Sequence, residues 1–147
     1  PLSAASLAGE IDCVRLMIAA GAAVNQADSD GYTPLYIACQ EGHLELARLL
    51  LEAGAALDQA NEDGVSPLFI ASQNGHLELA RLLRDAGASV DQADDDGVTP
   101  LSAASLTGKI DCVRLMIAAG AAVNQADSEG RAPLYVACQN GHLECAQ

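Results

Sequence analysis

Two acidic loops are the segments of this sequence whose residue types could bind a metal ion. Asp94-Asp95-Asp96-Gly97 and Asp28-Ser29-Asp30-Gly31 place carboxylates just before a glycine, as calcium-binding loops do. A twelve-residue calcium loop with Gly97 at its sixth position would begin at Gln92 and end at Ala103, where a carboxylate is needed. The other loop fails the same test. We therefore interpret both loops as turns and expect no metal site.

Three histidines recur at equivalent places, each directly after a glycine: His43, His76 and His142. Equivalent side chains on stacked helices lie about 8–10 Å apart. That separation is too large for one ion held at about 2 Å from each ligand. We expect a structural role for these histidines.

The five cysteines are Cys13, Cys39, Cys112, Cys138 and Cys145. They stand where other repeats have leucine or serine, so we interpret them as space-filling residues. An odd number without a Cys-x-x-Cys pair indicates neither a disulfide framework nor a zinc site. We expect reduced thiols, which favours a reducing intracellular compartment, the cytoplasm by default. Serine at Cys39 or Cys138 is expected to be nearly silent.

The sequence has no arrangement of residues typical of catalysis. It lacks a nucleophile elbow, a phosphate-binding glycine loop and a Ser/His/Asp set. We predict no enzyme activity and no cofactor for these residues.

The charge of the chain limits its partners. The formal net charge is −13, which disfavours nucleic acid and anionic membrane surfaces. The longest apolar stretch, 16–24, is nine residues, whereas a membrane-spanning helix needs about 20. We expect no direct membrane insertion and a protein partner with a basic or mixed surface.

Proline and glycine positions reveal the elements that carry these residues. The five prolines are 33 residues apart, and all thirteen glycines fall on three tracks with the same period. Residues 1–48 match residues 100–147 at 39 of 48 positions, a shift of three periods. The chain therefore divides into the units 1–33, 34–66, 67–99 and 100–132 and a partial fifth unit, 133–147. This period is typical of solenoid proteins built from repeats.

Local chemistry predicts two short helices in each unit. Thr33 can cap a helix that begins at Pro34, where the missing N–H costs nothing, and Gly42 can end it in the left-handed conformation. A second helix is predicted from about Leu44 to Ala53, followed by a loop that closes in an Asp-Gly turn. Neither helix is long enough to be stable alone in water, so each unit must pack on its neighbours.

The motifs of these units resemble ankyrin repeats over the whole chain. The resemblance rests on Thr33-Pro34-Leu35, Ser66-Pro67-Leu68 and Thr99-Pro100-Leu101, on Gly42-His43-Leu44-Glu45, Gly75-His76-Leu77-Glu78 and Gly141-His142-Leu143-Glu144, and on the Gly-Ala pairs that begin at Gly21, Gly54, Gly87 and Gly120. It implies an all-α solenoid of stacked helix-turn-helix units with short β-hairpin loops. It also implies protein recognition on the concave face made by these loops, or fingers, and the first helices.

This chain departs from the family at the position after Thr-Pro-Leu. The family usually has a histidine there that donates hydrogen bonds between loops, whereas this chain has Ser3, Tyr36, Phe69, Ser102 and Tyr135. We expect weaker hydrogen bonding between loops and a greater contribution from apolar stacking.

The fingers, which turn at Gly31, Gly64, Gly97 and Gly130, carry acids at every tip, beside apolar residues in the first three. The candidate partner-binding residues are Asp30, Tyr32, Glu62, Asp63, Val65, Asp95, Asp96, Val98, Glu129 and Arg131. Acids that flank apolar anchors could form a recognition surface. The alternative is that acidic turns only aid solubility.

The function predicted for this chain is a protein-interaction module or scaffold that binds a partner through its concave, finger-bearing face. A structural spacer or clamp subunit within a large assembly is one alternative. The non-catalytic array of a multidomain enzyme or channel is another.

We expect these 147 residues to be part of a longer array, or to be covered at both ends by partner chains. Terminal units of solenoids need polar outer faces, whereas Ile11 and Leu143 keep the internal apolar pattern. Hydrogen exchange on the isolated segment should therefore be fastest at both ends and slowest in the middle units. Uniform protection to both termini of a monomer would contradict this expectation.

Overall fold

The computed structural model describes residues 11–147. This part of the chain contains nine α-helices and no assigned β-strand. The helices are α1 (Ile11–Ala19), α2 (Pro34–Glu41), α3 (Leu44–Glu52), α4 (Pro67–Gln73), α5 (Leu77–Asp85), α6 (Pro100–Leu106), α7 (Ile110–Ala118), α8 (Pro133–Gln139) and α9 (Leu143–Ala146). The predicted all-α pattern of repeated helix-turn-helix units is confirmed. The predicted first helix of unit 1–33 falls largely within residues 1–10, outside the described residues.

The first helices α2, α4 and α6 begin as their local sequences predict. Thr33 Oγ1 accepts a hydrogen bond from the backbone N–H of Tyr36, at 3.1 Å between heavy atoms, one turn into α2. Ser66 and Thr99 cap α4 and α6 in the same way. Ala132 precedes α8 and provides no side-chain cap. Gly42 ends α2 with a φ of 81°, a conformation that glycine adopts without a steric penalty.

The helices form two layers that share one apolar core. In the first layer α2, α4, α6 and α8 pack side by side, and α1, α3, α5, α7 and α9 form the second layer behind them. Leu35 and Leu68 of the first layer and Leu46 and Leu79 of the second are almost fully buried. Burying each such leucine contributes about 1.5–3 kcal/mol, which helices of seven to nine residues cannot gain alone. Among the described residues, no helix has the length and apolar character needed to cross a membrane.

The first layer is the more closely packed of the two. Its helices are also shorter, with seven residues in α4 and α6 against nine in α5 and α7. We therefore expect the array to curve toward its first helices, the side on which the family resemblance places the recognition face.

From the second unit onward, hydrogen bonds join each unit to the next through one carbonyl near the end of the first helix. The acceptor is Gln40 O for His76 Nε2 at 3.1 Å, Gln73 O for Thr107 Oγ1 at 2.8 Å, and Leu106 O for His142 Nε2 at 2.9 Å. Where a lysine replaces the histidine, at Lys109, the threonine two residues earlier makes the bond instead. The structural role predicted for His76 and His142 is confirmed.

The loops that follow the second helices are also joined between units. One side-chain oxygen of each unit accepts the backbone N–H of a residue 31 positions later. The pairs are Asn25 with Ala56 at 2.7 Å, Asp58 with Ser89 at 3.0 Å, and Asp91 with Ala122 at 2.9 Å. These residues supply bonds between loops although the histidine after Thr-Pro-Leu is absent.

At its C-terminal end the array exposes apolar side chains. Leu134, Tyr135 and Leu143 are 57%, 56% and 67% exposed. Leu35 and Tyr36, the equivalents of Leu134 and Tyr135 in the second unit, are buried beneath α4 and the rest of the third unit.

Burial differs among the cysteines. Cys39 and Cys112 lie in the core and Cys145 packs partly against it, so the space-filling interpretation holds for these three. Cys13 and Cys138 are exposed. Burial raises the pKa of the Cys39 and Cys112 thiols above the ordinary range, so both are neutral at physiological pH.

Serine and cysteine are not equivalent at the Cys39 position. The equivalent residue of the next unit, Ser72, is completely buried, and its hydroxyl has no hydrogen-bond partner within residues 11–147. An unpaired buried hydroxyl costs about 1–3 kcal/mol. By analogy with Ser72, we predict a cost for Cys39→Ser at this buried site, whereas the silent change expected from the sequence stays the prediction for the exposed Cys138.

We predict that Ser72→Ala raises the free energy of unfolding by about 1 kcal/mol, because it removes a buried hydroxyl that bonds to nothing. Cys39→Ser should lower it by about 1–2 kcal/mol for the converse reason. Urea unfolding of both variants measures the effects, with Cys138→Ser as the exposed control. A Ser72→Ala protein that is less stable than the parent would contradict the prediction.

Candidate protein-binding surface

Each finger is held by the side chain of its first residue. The fingers comprise residues 28–32, 61–65, 94–98 and 127–131. In the first, Asp28 Oδ1 accepts the backbone N–H groups of Asp30 and Tyr32, at 3.0 and 2.9 Å. Asn61, Asp94 and Asp127 do the same in the other three. The acid that recurs in these turns is therefore structural.

The fingers are tight turns and not β-hairpins with strands. The backbone N–H of Asp28 donates to the carbonyl of Tyr32 at 3.1 Å, but the amides of Asp30 and Tyr32 are used by the Asp28 side chain. These amides are therefore not paired with a facing strand. The hairpin strands implied by the family resemblance are absent from the described part of the chain.

Backbone hydrogen bonds link each finger to the one before it. The donor and acceptor are Glu62 N and Asp30 O at 3.2 Å, Asp95 N and Asp63 O at 3.0 Å, and Ser128 N and Asp96 O at 2.8 Å. Glycine permits this approach, because a Cβ at Gly31 would lie 2.8 Å from Glu62 N. The four tips therefore form one continuous edge.

This edge displays most of the predicted acids to solvent. Asp30, Glu62, Asp63, Asp95, Asp96 and Glu129 are all exposed. Within residues 11–147, the side chains of the first five take part in no hydrogen bond or salt bridge. The fold uses their backbone groups and leaves their carboxylates unused.

The apolar residues predicted beside the acids are less exposed than a surface anchor would be. Tyr32, Val65 and Val98 are half-buried, and the first two pack against the core. These side chains are therefore partly covered and do not project fully into solvent.

The fourth finger carries less charge than the others. Arg131 Nε contacts Asp127 Oδ2 at 2.8 Å, and its Nη1 lies 3.0 Å from Glu129 Oε2. The backbone N–H of Arg131, with its guanidinium, holds the pKa of the Asp127 carboxyl below its usual value. The unpaired acids are therefore concentrated on the first three fingers.

Sequence reasoning did not assign Tyr36 to the candidate site. Its ring packs on that of Tyr32, with centroids 4.9 Å apart and planes at 34°. Burial, with smaller contributions from the nearby Tyr32 and Asp63, raises the pKa of Tyr36 to about 12. The sequence pattern that could have identified the pair is the four-residue spacing of Tyr32, just before α2, and Tyr36, in its first turn.

None of the described residues form a group of three or more potential metal ligands. The acids at the tips are separated along the edge, one finger after another, so their geometry suits contact with an extended surface.

A stacked array of helix pairs with an exposed edge of loops defines the class of repeat proteins called solenoids. A family model for ankyrin repeats in three copies matches residues 2–94 and 86–147. The chain belongs to the ankyrin-repeat family and, as such, is a protein-interaction module.

Two curated relatives match a short segment. Over 40 residues the chain is 46% identical to protein phosphatase 1 regulatory subunit 27 of Mus musculus and 45% identical to the protein of that name from Homo sapiens. The match spans 27% of this chain and 26% of each relative. The relatives share a repeat with this chain over about a quarter of their length.

The buried phenol of Tyr36 makes the free energy of unfolding fall as the pH rises in the alkaline range. Its pKa in the fold, about 12, exceeds the ordinary value of 10.0, so its contribution is intact below pH 10 and is lost as the pH rises through 12. We predict that Tyr36→Phe removes an ionisation near pH 12 from the ultraviolet titration and flattens the loss of stability from pH 10 to 12. A Tyr36→Phe titration identical to that of the parent would contradict this assignment.

Proposed function

We propose that this array binds a protein partner whose contact surface is basic or mixed, along the edge formed by the fingers. The partner-binding residues of this proposal are the ten candidate residues named from the sequence, with the acids as its main source of charge. The observation that supports it most is the row of exposed carboxylates that the fold itself does not use.

An edge fixed by backbone bonds favours recognition over solubility alone. Acids needed only for solubility could lie on any exposed surface, whereas these recur at one position of every finger. Because the edge is ordered before binding, little conformational entropy would be lost on association. Complementary charge would mainly accelerate encounter and select the partner.

We further propose that the array contributes binding and no catalysis, as a subunit of a larger complex. The name of the matched relatives, regulatory subunits of protein phosphatase 1, supports such a role. The match covers too little of either chain to transfer their partner.

We predict that Asp63→Lys together with Asp95→Lys slows association with the partner roughly tenfold at low salt, because four units of charge change on the binding edge. The partner is first isolated by affinity capture on the folded array and identified by mass spectrometry. Association rates are then measured by surface plasmon resonance at several salt concentrations.

Glu45→Lys with Glu78→Lys is the matched control. These two acids also lie in neighbouring repeats, but they are on α3 and α5 beside Arg48 and Arg81. The control should retain the parent on-rate within about twofold. An on-rate that is unchanged in the Asp63/Asp95 variant, or reduced equally in both variants, would contradict the proposal.

A further inference from the structure

The same six-residue sequence, Gln-Asn-Gly-His-Leu-Glu, occurs at the end of two first helices. It forms the first segment, 73–78, after α4, and the second segment, 139–144, after α8. In both, the asparagine follows the helix and the glycine has a positive φ, 75° at Gly75 and 71° at Gly141. The intrinsic reactivity of the two segments is therefore equal, and any difference between them in the native protein is due to the fold.

An asparagine followed by a glycine is chemically unstable in water. The backbone nitrogen of the glycine attacks the side-chain Cγ of the asparagine and closes a five-membered imide. The Cγ–Nδ2 bond breaks, and the amide leaves as ammonia with the proton of the glycine nitrogen. Water then opens the imide at either carbonyl and yields an aspartate or an isoaspartate. Glycine favours the attack because no side chain shields its nitrogen.

The native conformation opposes this attack in both segments. The ψ angles of Asn74 and Asn140 are −5° and 4°. The N–H groups of the glycines that follow donate to Ser72 O at 3.2 Å and to Cys138 O at 3.1 Å. Ring closure needs a rotation about the asparagine Cα–C bond that breaks these hydrogen bonds. The reaction therefore requires a local opening of the helix end, and its rate reports how often that end opens.

Both neighbouring units hold the first segment. Asn74 Nδ2 donates to Gln40 O of the preceding unit at 3.2 Å. Thr107 Oγ1 of the following unit donates to Gln73 O at 2.8 Å. A Cβ on the glycine of this segment would lie 2.8 Å from Lys109 Cδ, so the lysine stem covers the glycine. An opening at the end of α4 must therefore break contacts with two units.

The second segment has fewer contacts of this kind. Asn140 Nδ2 donates within its own helix, to Val136 O at 2.8 Å. A Cβ on Gly141 would meet no described atom within 4 Å. The two segments share the bond from their histidine to the preceding unit, so this bond does not distinguish them. The end of α8 therefore opens at a lower cost than the end of α4.

We propose that Asn140 is a site of spontaneous deamidation in the native array, and that contacts with both neighbouring units protect Asn74. Reaction at Asn140 adds a negative charge at the C-terminal end of α8, where the helix dipole disfavours an anion. At Asn74 the same change would set a carboxylate against Gln40 O and remove the bond between the second and third units. The inference needs no partner and is independent of the proposed function.

The test follows both asparagines in one sample of the whole 147-residue chain at neutral pH and physiological temperature. Peptide mapping by mass spectrometry measures the aspartate and isoaspartate formed at each site. In the native protein Asn140 should react at least about tenfold faster than Asn74. A parallel sample in guanidinium chloride should show equal rates at the two sites, because their flanking sequences are the same.

Thr107→Ala tests the protection of Asn74, because it removes the bond to Gln73 O. The first unit has Ala8 at the equivalent position, so alanine suits the repeat. In this variant Asn74 should deamidate at least about threefold faster, whereas Asn140 in the same molecule is the control and should keep its rate. An unchanged Asn74 rate would overturn the assigned protection.

Two results with the parent chain would overturn the inference. Equal native rates at Asn74 and Asn140 would show that the neighbouring units give no selective protection. Unequal rates in guanidinium chloride would show that the difference does not come from the fold.

Discussion

The contact between successive 33-residue units is the constraint on which every other feature of this protein depends. Helices of seven to nine residues have no stability of their own in water. They persist because Leu35, Leu68 and Leu101 are buried between units. The same contact brings one unit's histidine or threonine to the preceding helix and one finger's amide to the preceding tip. Stability and the continuous edge of finger tips therefore have a common origin.

The features that could be predicted from the sequence are those set by local chemistry. Thr33, Pro34 and Gly42 act within one turn of the chain, so their roles as cap, first helical residue and helix end follow from residue type alone. Features that depend on the neighbouring unit could not be predicted in this way. The bond that the Ser89 N–H donates to Asp58 joins residues 31 positions apart. The half-burial of Tyr32 and the unpaired hydroxyl of Ser72 depend on how the core packs around them.

The positions of the candidate residues on the fingers could be predicted from the sequence, whereas their side-chain contacts could not. Its acids could be located because they recur beside the glycine of each finger. The aromatic pair was missed because Tyr36 was considered only as a replacement for a histidine. The pairing of Arg131 with the acids of the fourth finger depends on side-chain geometry. What distinguishes one ankyrin array from another lies in such variable positions, since the scaffold is shared by the family.

Bonds between units order the finger tips into one edge before any partner binds. Amide hydrogen exchange in the free protein tests it most directly, because Glu62, Asp95 and Ser128 donate to the preceding finger whereas Ser29, at the equivalent position, has no acceptor among the described residues. After correction for intrinsic rates, the first three amides should exchange at least about tenfold more slowly than that of Ser29. Four equal, unprotected rates would contradict the account.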